Sequence, residues 1–297
     1  MEYRIAAGQF QVPADLEEFP LHPTESKERF YQWVIGRLKG LLRLQKVQVT
    51  CYGAEHIPAE SGAIIAMNHT GYYDFMFGEV APHIRGKRLL RFMAKREVFD
   101  VPVLGNIMNS MWHIPVDRSA GGSSVDAAVE RIYRGQLVGI FPEATISRSF
   151  ELANFKNGAA RIAQQADAPL IPMVTWGSQR FWTKGREKEL GRNGYPVIIR
   201  LGEPVDTTGT SDEVIARLKA AMQVLLDDVR AEYNERFGPF EPGMDWMPAS
   251  MGGTAPTLEE ADDINRRVKA EKIEKKKAKE ARKINRRADR ALKKDVT

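Results

Sequence analysis

Apolar residues recur along this chain with two alternating periods. From Ser26 the spacing is helical: Phe30, Trp33, Val34, Leu38, Leu41, Leu42 and Leu44 fall three or four apart, with Lys27, Arg29, Arg37, Lys39 and Arg43 largely between them. This predicts a basic amphipathic helix over 27–44, suited either to packing on a core or to lying in a membrane interface. Strand-like alternation follows at 47–52. The run 62–67 is apolar on both faces, as in a buried parallel strand. Beyond it the pattern predicts a helix at 73–84, a strand at 89–94, mixed helix and loop at 98–111 and a short strand at 112–116. A helix at 124–133, capped by Ser123 or Ser124, comes next. A strand at 137–141, a helix at 159–166 and strands at 170–175 and 196–201 lead to a long helix at 211–237, opening at Ser211-Asp212-Glu213. Strands alternating with helices imply an α/β fold, a mostly parallel central sheet flanked by helices. No repeat is visible.

The flanks read differently. Residues 1–25 are polar and punctuated by prolines, which suggests an irregular arm, and 238–256 is rich in Gly, Pro and Met, which suggests a linker. Thr257 and Glu260 form a capping-box pair that opens a highly charged helical run with only Ile264, Val268, Ile273 and Ile284 among the charges. The expected organisation is an N-terminal arm and amphipathic helix (1–49), a central domain (50–237), a linker (238–256) and a basic helical tail (257–297).

Charge sharpens that division. The formal net charge is +5, but residues 266–294 hold fifteen Lys and Arg against four acids, which leaves the remainder near −6. The tail lacks the interleaved aromatics of single-strand binders and any DNA-reading motif, so nucleic acid is not an expected partner. Anionic lipid headgroups suit it better, and a plain solvated helix is the alternative. The single cysteine, Cys51, excludes an intramolecular disulfide framework and a multi-cysteine zinc site, and its place in an alternating run marks it as a strand residue. Residues 1–19 carry acids and a proline and no apolar h-region, so no signal peptide is expected. No uncharged stretch approaches the roughly 18–20 residues of a membrane span, so membrane contact is expected to be peripheral.

Candidate chemistry gathers at strand ends. Behind the 62–67 strand stands Asn68-His69-Thr70-Gly71-Tyr72-Tyr73-Asp74. A histidine and a carboxylate five apart, at the carboxyl end of a buried strand, lie where open α/β sheets place their sites. There the carboxylate can reach back to one imidazole nitrogen, fixing the tautomer and leaving the other as a general base. Alone the pattern is weak. Ile114-Pro115-Val116-Asp117-Arg118 ends a second strand with a charged pair. Phe141-Pro142-Glu143-Ala144-Thr145-Ile146-Ser147-Arg148 ends a third, and Leu170-Ile171-Pro172-Met173 is an apolar strand broken by proline. Polar residues at several strand ends suggest one shared site. His56, His83 and His113 match none of these blocks and read as structural or surface residues.

In this order, over roughly 53–204, the segments resemble the glycerolipid acyltransferase family whose best-known member acylates 1-acylglycerol-3-phosphate (PlsC-type), with its NHxxxxD, Pro-x-Asp-Arg, FPEGTRS and late proline blocks. Ala94-Lys95-Arg96-Glu97 and Phe155-Lys156-Asn157-Gly158-Ala159 also look like family segments. The 142–151 and 176–185 stretches look like an actinobacterial branch. The third block departs from the pattern: Ile146 fills the usual arginine position, and Arg148 matches a second basic position. The resemblance implies His69 as general base held by Asp74. It implies Lys95, Arg118, Glu143, Thr145, Ser147 and Arg148 around the acceptor phosphate, and Asn68, Phe141, Pro142, Lys156, Gly158 and Pro172 in acyl-donor or structural positions. It further implies acyl-CoA or acyl carrier protein as co-substrate with no metal or other cofactor, and a lysophospholipid or glycerol-phosphate acceptor. An anionic membrane surface is the implied partner, at the cytoplasmic face of the plasma membrane. Lysophosphatidic acid is the leading acceptor, glycerol 3-phosphate or a phosphatidylinositol mannoside the runner-up. A non-enzymatic lipid- or nucleic-acid-binding adaptor is the alternative of a different class.

Overall fold

The computed structural model of the chain describes residues 2–117 and 122–294. The strands are β1 (Tyr3–Ala6), β2 (Phe10–Pro13), β3 (Gln48–Tyr52), β4 (Ala63–Met67), β5 (Leu90–Lys95), β6 (Ile114–Val116), β7 (Leu137–Ile140), β8 (Leu170–Trp176) and β9 (Pro196–Leu201). The helices are α1 (Arg29–Leu44), α2 (Asp74–Gly78), α3 (Val80–Ile84), α4 (Arg96–Phe99), α5 (Leu104–Ser110), α6 (Ser123–Tyr133), α7 (Gly158–Ala166), α8 (Ser211–Phe237) and α9 (Leu258–Lys294).

The strands line up as β1-β2-β3-β9-β8-β4-β7-β5-β6. Neighbours are parallel except β1 with β2 and β8 with β9. This is the mostly parallel sheet that the alternation of periods predicts. Inside it, β4 turns Ile64 and Ala66 to one apolar layer with α6, α7 and α8, and Ala63, Ile65 and Met67 to the other with α1, α2 and α3. Burial on both faces is what an uninterrupted apolar run provides. Met67 of β4 pairs with Met173 of β8, and Ala66 pairs with Ile140 of β7. The carboxyl ends of β8, β4 and β7 therefore emerge side by side. Pro172 does not break β8; it sits within the strand opposite Ala66, and its carbonyl accepts from Gly202 N at 3.0 Å.

Several expectations are corrected. The first residues are not an irregular arm: β1 and β2 form a hairpin that turns through Ala7 and Gly8, both at positive φ (48° and 70°). Phe10 and Val12 of β2 are buried in the core. Helix α6 begins after Gly122, and neither Ser123 nor Ser124 caps it. Helix α1 is two-sided. Tyr31, Ile35 and Leu42 are buried, and the Tyr31 hydroxyl lies within hydrogen-bond reach of the Glu79 carboxyl and of Leu90 O. A separate stripe of Phe30, Trp33, Leu41 and Leu44 is exposed. Leu38, of the same periodic set, packs partly against the core.

The segment 238–256 is not a free linker. Trp246, Met247 and Ala255 are buried in the layer that also holds Trp176 and Tyr233, and the Trp246 ring meets Phe240 edge-on at 4.8 Å. The Arg180 guanidinium lies 4.5 Å from the Trp246 ring centre. The turn into α9 keeps the expected box, with Thr257 N donating to Glu260 Oε2 at 2.9 Å and Glu260 N to Thr257 Oγ1 at 3.3 Å. Trp246→Ala should therefore lower unfolding free energy by about 3–5 kcal/mol, as for other buried aromatics. Chemical denaturation checks this, since a linker residue would change stability by only ~0.5 kcal/mol.

Candidate active site

The site forms where β4, β7 and β8 end. After Met67 the chain turns sharply, and the turn is built on one carboxylate. Asp74 Oδ2 accepts from Thr70 N at 2.6 Å and Gly71 N at 2.8 Å, and lies 3.0 Å from His69 Nδ1. Asp74 Oδ1 accepts from Ser178 Oγ at 2.5 Å. Two backbone donors and a hydroxyl thus occupy its two oxygens. An oxygen already serving two N–H groups has nothing to donate, so His69 Nδ1 carries the proton of that contact. The lone pair of the neutral imidazole then sits on Nε2. His69 is half-buried while Asp74 is almost fully enclosed. The Phe141 ring stacks on the imidazole with centroids 4.1 Å apart.

Each neighbouring strand end holds this turn. From β7, Glu143 Oε1 accepts from His69 N at 2.8 Å and Oε2 from Ala153 N at 3.1 Å. Burial pushes the Glu143 carboxyl up to about 8, against the pull of these two donors. Ser147 N donates to His69 O at 2.7 Å. From β8, Thr175 exchanges two bonds with the Asn68 side chain, at 3.0 and 2.8 Å, so Asn68 ties β4 to β8 and caps no helix. Ser178 reaches Thr70 Oγ1 at 3.0 Å as well as Asp74, and Thr183 Oγ1 donates to Thr70 O at 2.5 Å. Tyr72 N donates to Trp182 O at 2.8 Å.

The other expected residues divide. Thr145 stands beside the Lys184 ammonium, which donates to its hydroxyl and to Ile146 O at 3.3 Å. Arg148 Nε donates to Asn265 Oδ1 of α9 at 3.2 Å. Ser147 is buried, and its hydroxyl is engaged by Glu151 O at 2.8 Å and Ser149 Oγ at 3.1 Å, so it faces inward. Pro142 is buried, its carbonyl accepting from Lys156 N at 2.8 Å; the side chain of Lys156 is exposed, and Gly158 opens α7. Lys95 is exposed at the end of β5. Arg118 lies outside the described residues. Ala144 sits at φ 55°, the region that favours glycine, at roughly 1–2 kcal/mol.

Sequence reasoning missed Ser178, Thr183 and Lys184 as parts of the site. Their segment was visible as a distinctive stretch, but nothing local tells that Ser178 meets a carboxylate 104 positions away. His83 and His113 are buried away from the site, and burial lowers both, to about 4 and about 3. Among the described residues no group of three or more His, Cys, Asp or Glu could hold a metal ion, and no helix is long and apolar enough to cross a membrane.

The block order and the site geometry define an acyltransferase-type α/β domain. The sequence profile of the Acyltransferase family matches residues 48–176. A 1-acyl-sn-glycerol-3-phosphate acyltransferase of Bacillus subtilis (strain 168) is 34% identical over 178 residues, 59% of this chain and 82% of the relative. A chloroplastic one from Brassica napus, BAT2, is 28% identical over 151 residues, 50% of this chain but 42% of that longer protein. The crystal structure of PlsC, the 1-acyl-sn-glycerophosphate acyltransferase of Thermotoga maritima, matches with a TM-score of 0.50 at 23% identity, covering 68% of this chain and 81% of that one, and shares the fold. This chain belongs to that acyltransferase family and is an O-acyltransferase.

The geometry separates two variants. Asp74→Asn places an amide nitrogen among donors and should lower turnover on the order of 10²–10⁴-fold. Ser178→Ala removes one hydroxyl contact and should cost about 1 kcal/mol in stability with a milder rate loss. Steady-state rates beside thermal melts on both proteins check this; equal rate losses would contradict the ranking.

Proposed function

We propose that the protein transfers a fatty acyl group from acyl-CoA or acyl carrier protein to the free hydroxyl of 1-acyl-sn-glycerol 3-phosphate. The carrying observation is the His69–Asp74 pair at the end of β4, with Nδ1 committed to the carboxylate. The names of the relatives support the acceptor. In the proposed reaction His69 Nε2 takes the acceptor's hydroxyl proton as the oxygen attacks the thioester carbonyl. A C–O bond forms, and the thioester carbonyl becomes a tetrahedral oxyanion. Collapse breaks the C–S bond, and the thiolate leaves with the proton from the imidazolium. Asp74 stabilises that imidazolium and keeps the ring in register. No acyl-enzyme bond is needed. Lys95, Arg118 and Arg148 are the basic residues proposed for the phosphate, arginine through its fork of donors. Glu143 serves by holding the His69 backbone.

His69→Ala should lower transfer on the order of 10²–10⁴-fold with the fold retained. The test is a purified-enzyme assay with lysophosphatidic acid, glycerol 3-phosphate and a phosphatidylinositol mannoside, with mass-spectrometric assignment of the acylated position. Near wild-type turnover in the variant would remove His69 as base. Product only from another acceptor would replace the acceptor but not the reaction.

A lipid acceptor requires a place at a membrane, and two features support a peripheral one, proposed at the cytoplasmic face. The outer stripe of α1 exposes Phe30, Trp33, Leu41 and Leu44, with Phe30 and Trp33 stacked at 6.1 Å and Arg37 over Trp33 at 5.1 Å. Val101, Val103 and Leu104 are also exposed, and Ile107 of α5 packs in the same small cluster as Val34 of α1. The second feature is the basic tail, which can add up to about 1 kcal/mol per basic residue near an anionic surface. Screening acts on the second feature and not on apolar burial. The full chain should sediment with anionic vesicles and weakly with neutral ones. Truncation after Val268 should remove the salt-sensitive part, and Trp33→Glu with Leu41→Glu the remainder. Unchanged binding of the double variant would move the contact elsewhere.

A further inference from the structure

The third block lacks the arginine expected after Thr145, and Ile146 in its place is apolar and buried. A cation nevertheless reaches that turn. The Lys184 ammonium donates to Thr145 Oγ1 and, at 3.3 Å, to Ile146 O. We propose that Lys184, brought in by the loop after β8, supplies the positive charge that binds the acceptor's phosphate in place of the missing arginine. The inference rests on the phosphate-bearing acceptor proposed above.

The loop that carries Lys184 is fastened to the catalytic turn. Ser178 is bonded to Asp74, Trp182 O accepts from Tyr72 N at 2.8 Å, and Thr183 Oγ1 donates to Thr70 O at 2.5 Å. Thr70 follows His69, and Thr145 stands two residues after Glu143, whose carboxylate holds His69 N. Lys184 thus bridges the two segments that fix His69. Its neighbour Gly185 has φ +84°, and a Cβ there would stand 3.0 Å from Arg148 Nη1. Arg148 therefore packs against the same loop, and two positive charges converge on one turn. A phosphate monoester carries about −1.5 to −2 near pH 7 and suits such a pair. Lysine differs from arginine here: it offers a compact charge on a flexible stem, not a fixed planar fork.

A purely structural lysine that pins the Thr145 turn is the competing role. Lys184→Gln keeps a hydrogen-bond donor for Thr145 and Ile146 but loses the charge, while Lys184→Arg keeps the charge. In the full chain, with lysophosphatidic acid and acyl-CoA, Lys184→Gln should raise the acceptor KM roughly 10- to 100-fold, the range of a lost charge-assisted contact, and leave the thioester KM unchanged. Lys184→Arg should recover most of the loss. Inorganic phosphate should compete with acceptor in the wild type and much less in Lys184→Gln. An unchanged acceptor KM, a rise in both constants or in the thioester's alone, or equal impairment by Gln and Arg would overturn the assignment. If the wild-type chain acylates only a phosphate-free acceptor, the proposed acceptor falls first and this assignment with it. A wild type active on lysophosphatidic acid with an indifferent Lys184→Gln sinks the assignment alone.

Discussion

The Asp74 carboxylate is the constraint on which the site depends. Four donors converge on it: two backbone N–H groups of the turn, the His69 imidazole and the Ser178 hydroxyl. A charge this enclosed is tolerable only when its lone pairs are satisfied. The same bonds that satisfy it also bend the chain between β4 and α2, orient the imidazole and anchor the loop after β8. Catalytic geometry and local folding are thus not separable here. The turn exists because the carboxylate is there, and the carboxylate is tolerated because the turn surrounds it. Parallel pairing of β8, β4 and β7 supplies the rest, because register alone brings Ser178, His69 and Glu143 to one sheet edge.

What could be read from the sequence follows the range of the interaction that decides it. The apolar run of β4 and the His69–Asp74 spacing are local, and both were legible. So was the Thr257–Glu260 box, since its partners are three residues apart. The β1–β2 hairpin escaped because its strands have four residues each, too few for periodicity to speak above the prolines that follow. Residues 238–256 have a linker's composition, yet Trp246 finds its pocket against Tyr233 and Arg180, and no window of sequence contains that pocket. Asn68 is held by Thr175, 107 positions away, a partner no local pattern reveals.

Helix α1 shows why a single amphipathic pattern under-described two faces. Residues at three- and four-residue spacing fall on one broad arc, but the sheet covers only the part that holds Tyr31, Ile35 and Leu42. Anchoring of that inner face does not rest on apolar packing alone. Glu28 pairs with Arg91, Glu25 pairs with Arg88 at 3.1 Å, and Tyr31 is bonded to Glu79. Burial pushes the Glu79 carboxyl up to about 8, so its hydrogen bonds work within an environment that resists the charge. With one face fixed in this way, the outer aromatic stripe has a set orientation relative to the domain. A helix held only by its lipid-facing residues would have none.

The start of α9 raises a related point about the tail. Ala261 is buried against the domain, and Asn265 accepts from Arg148, so the helix departs from a docked turn adjoining the third block. The basic run that begins at Arg266 is continuous with that turn, and an α-helix transmits position along its axis at about 1.5 Å per residue. The charge of the tail is therefore not tethered loosely, as a linker at 238–256 would have implied. Its root is fixed by the same loop that presents Glu143 and Thr145.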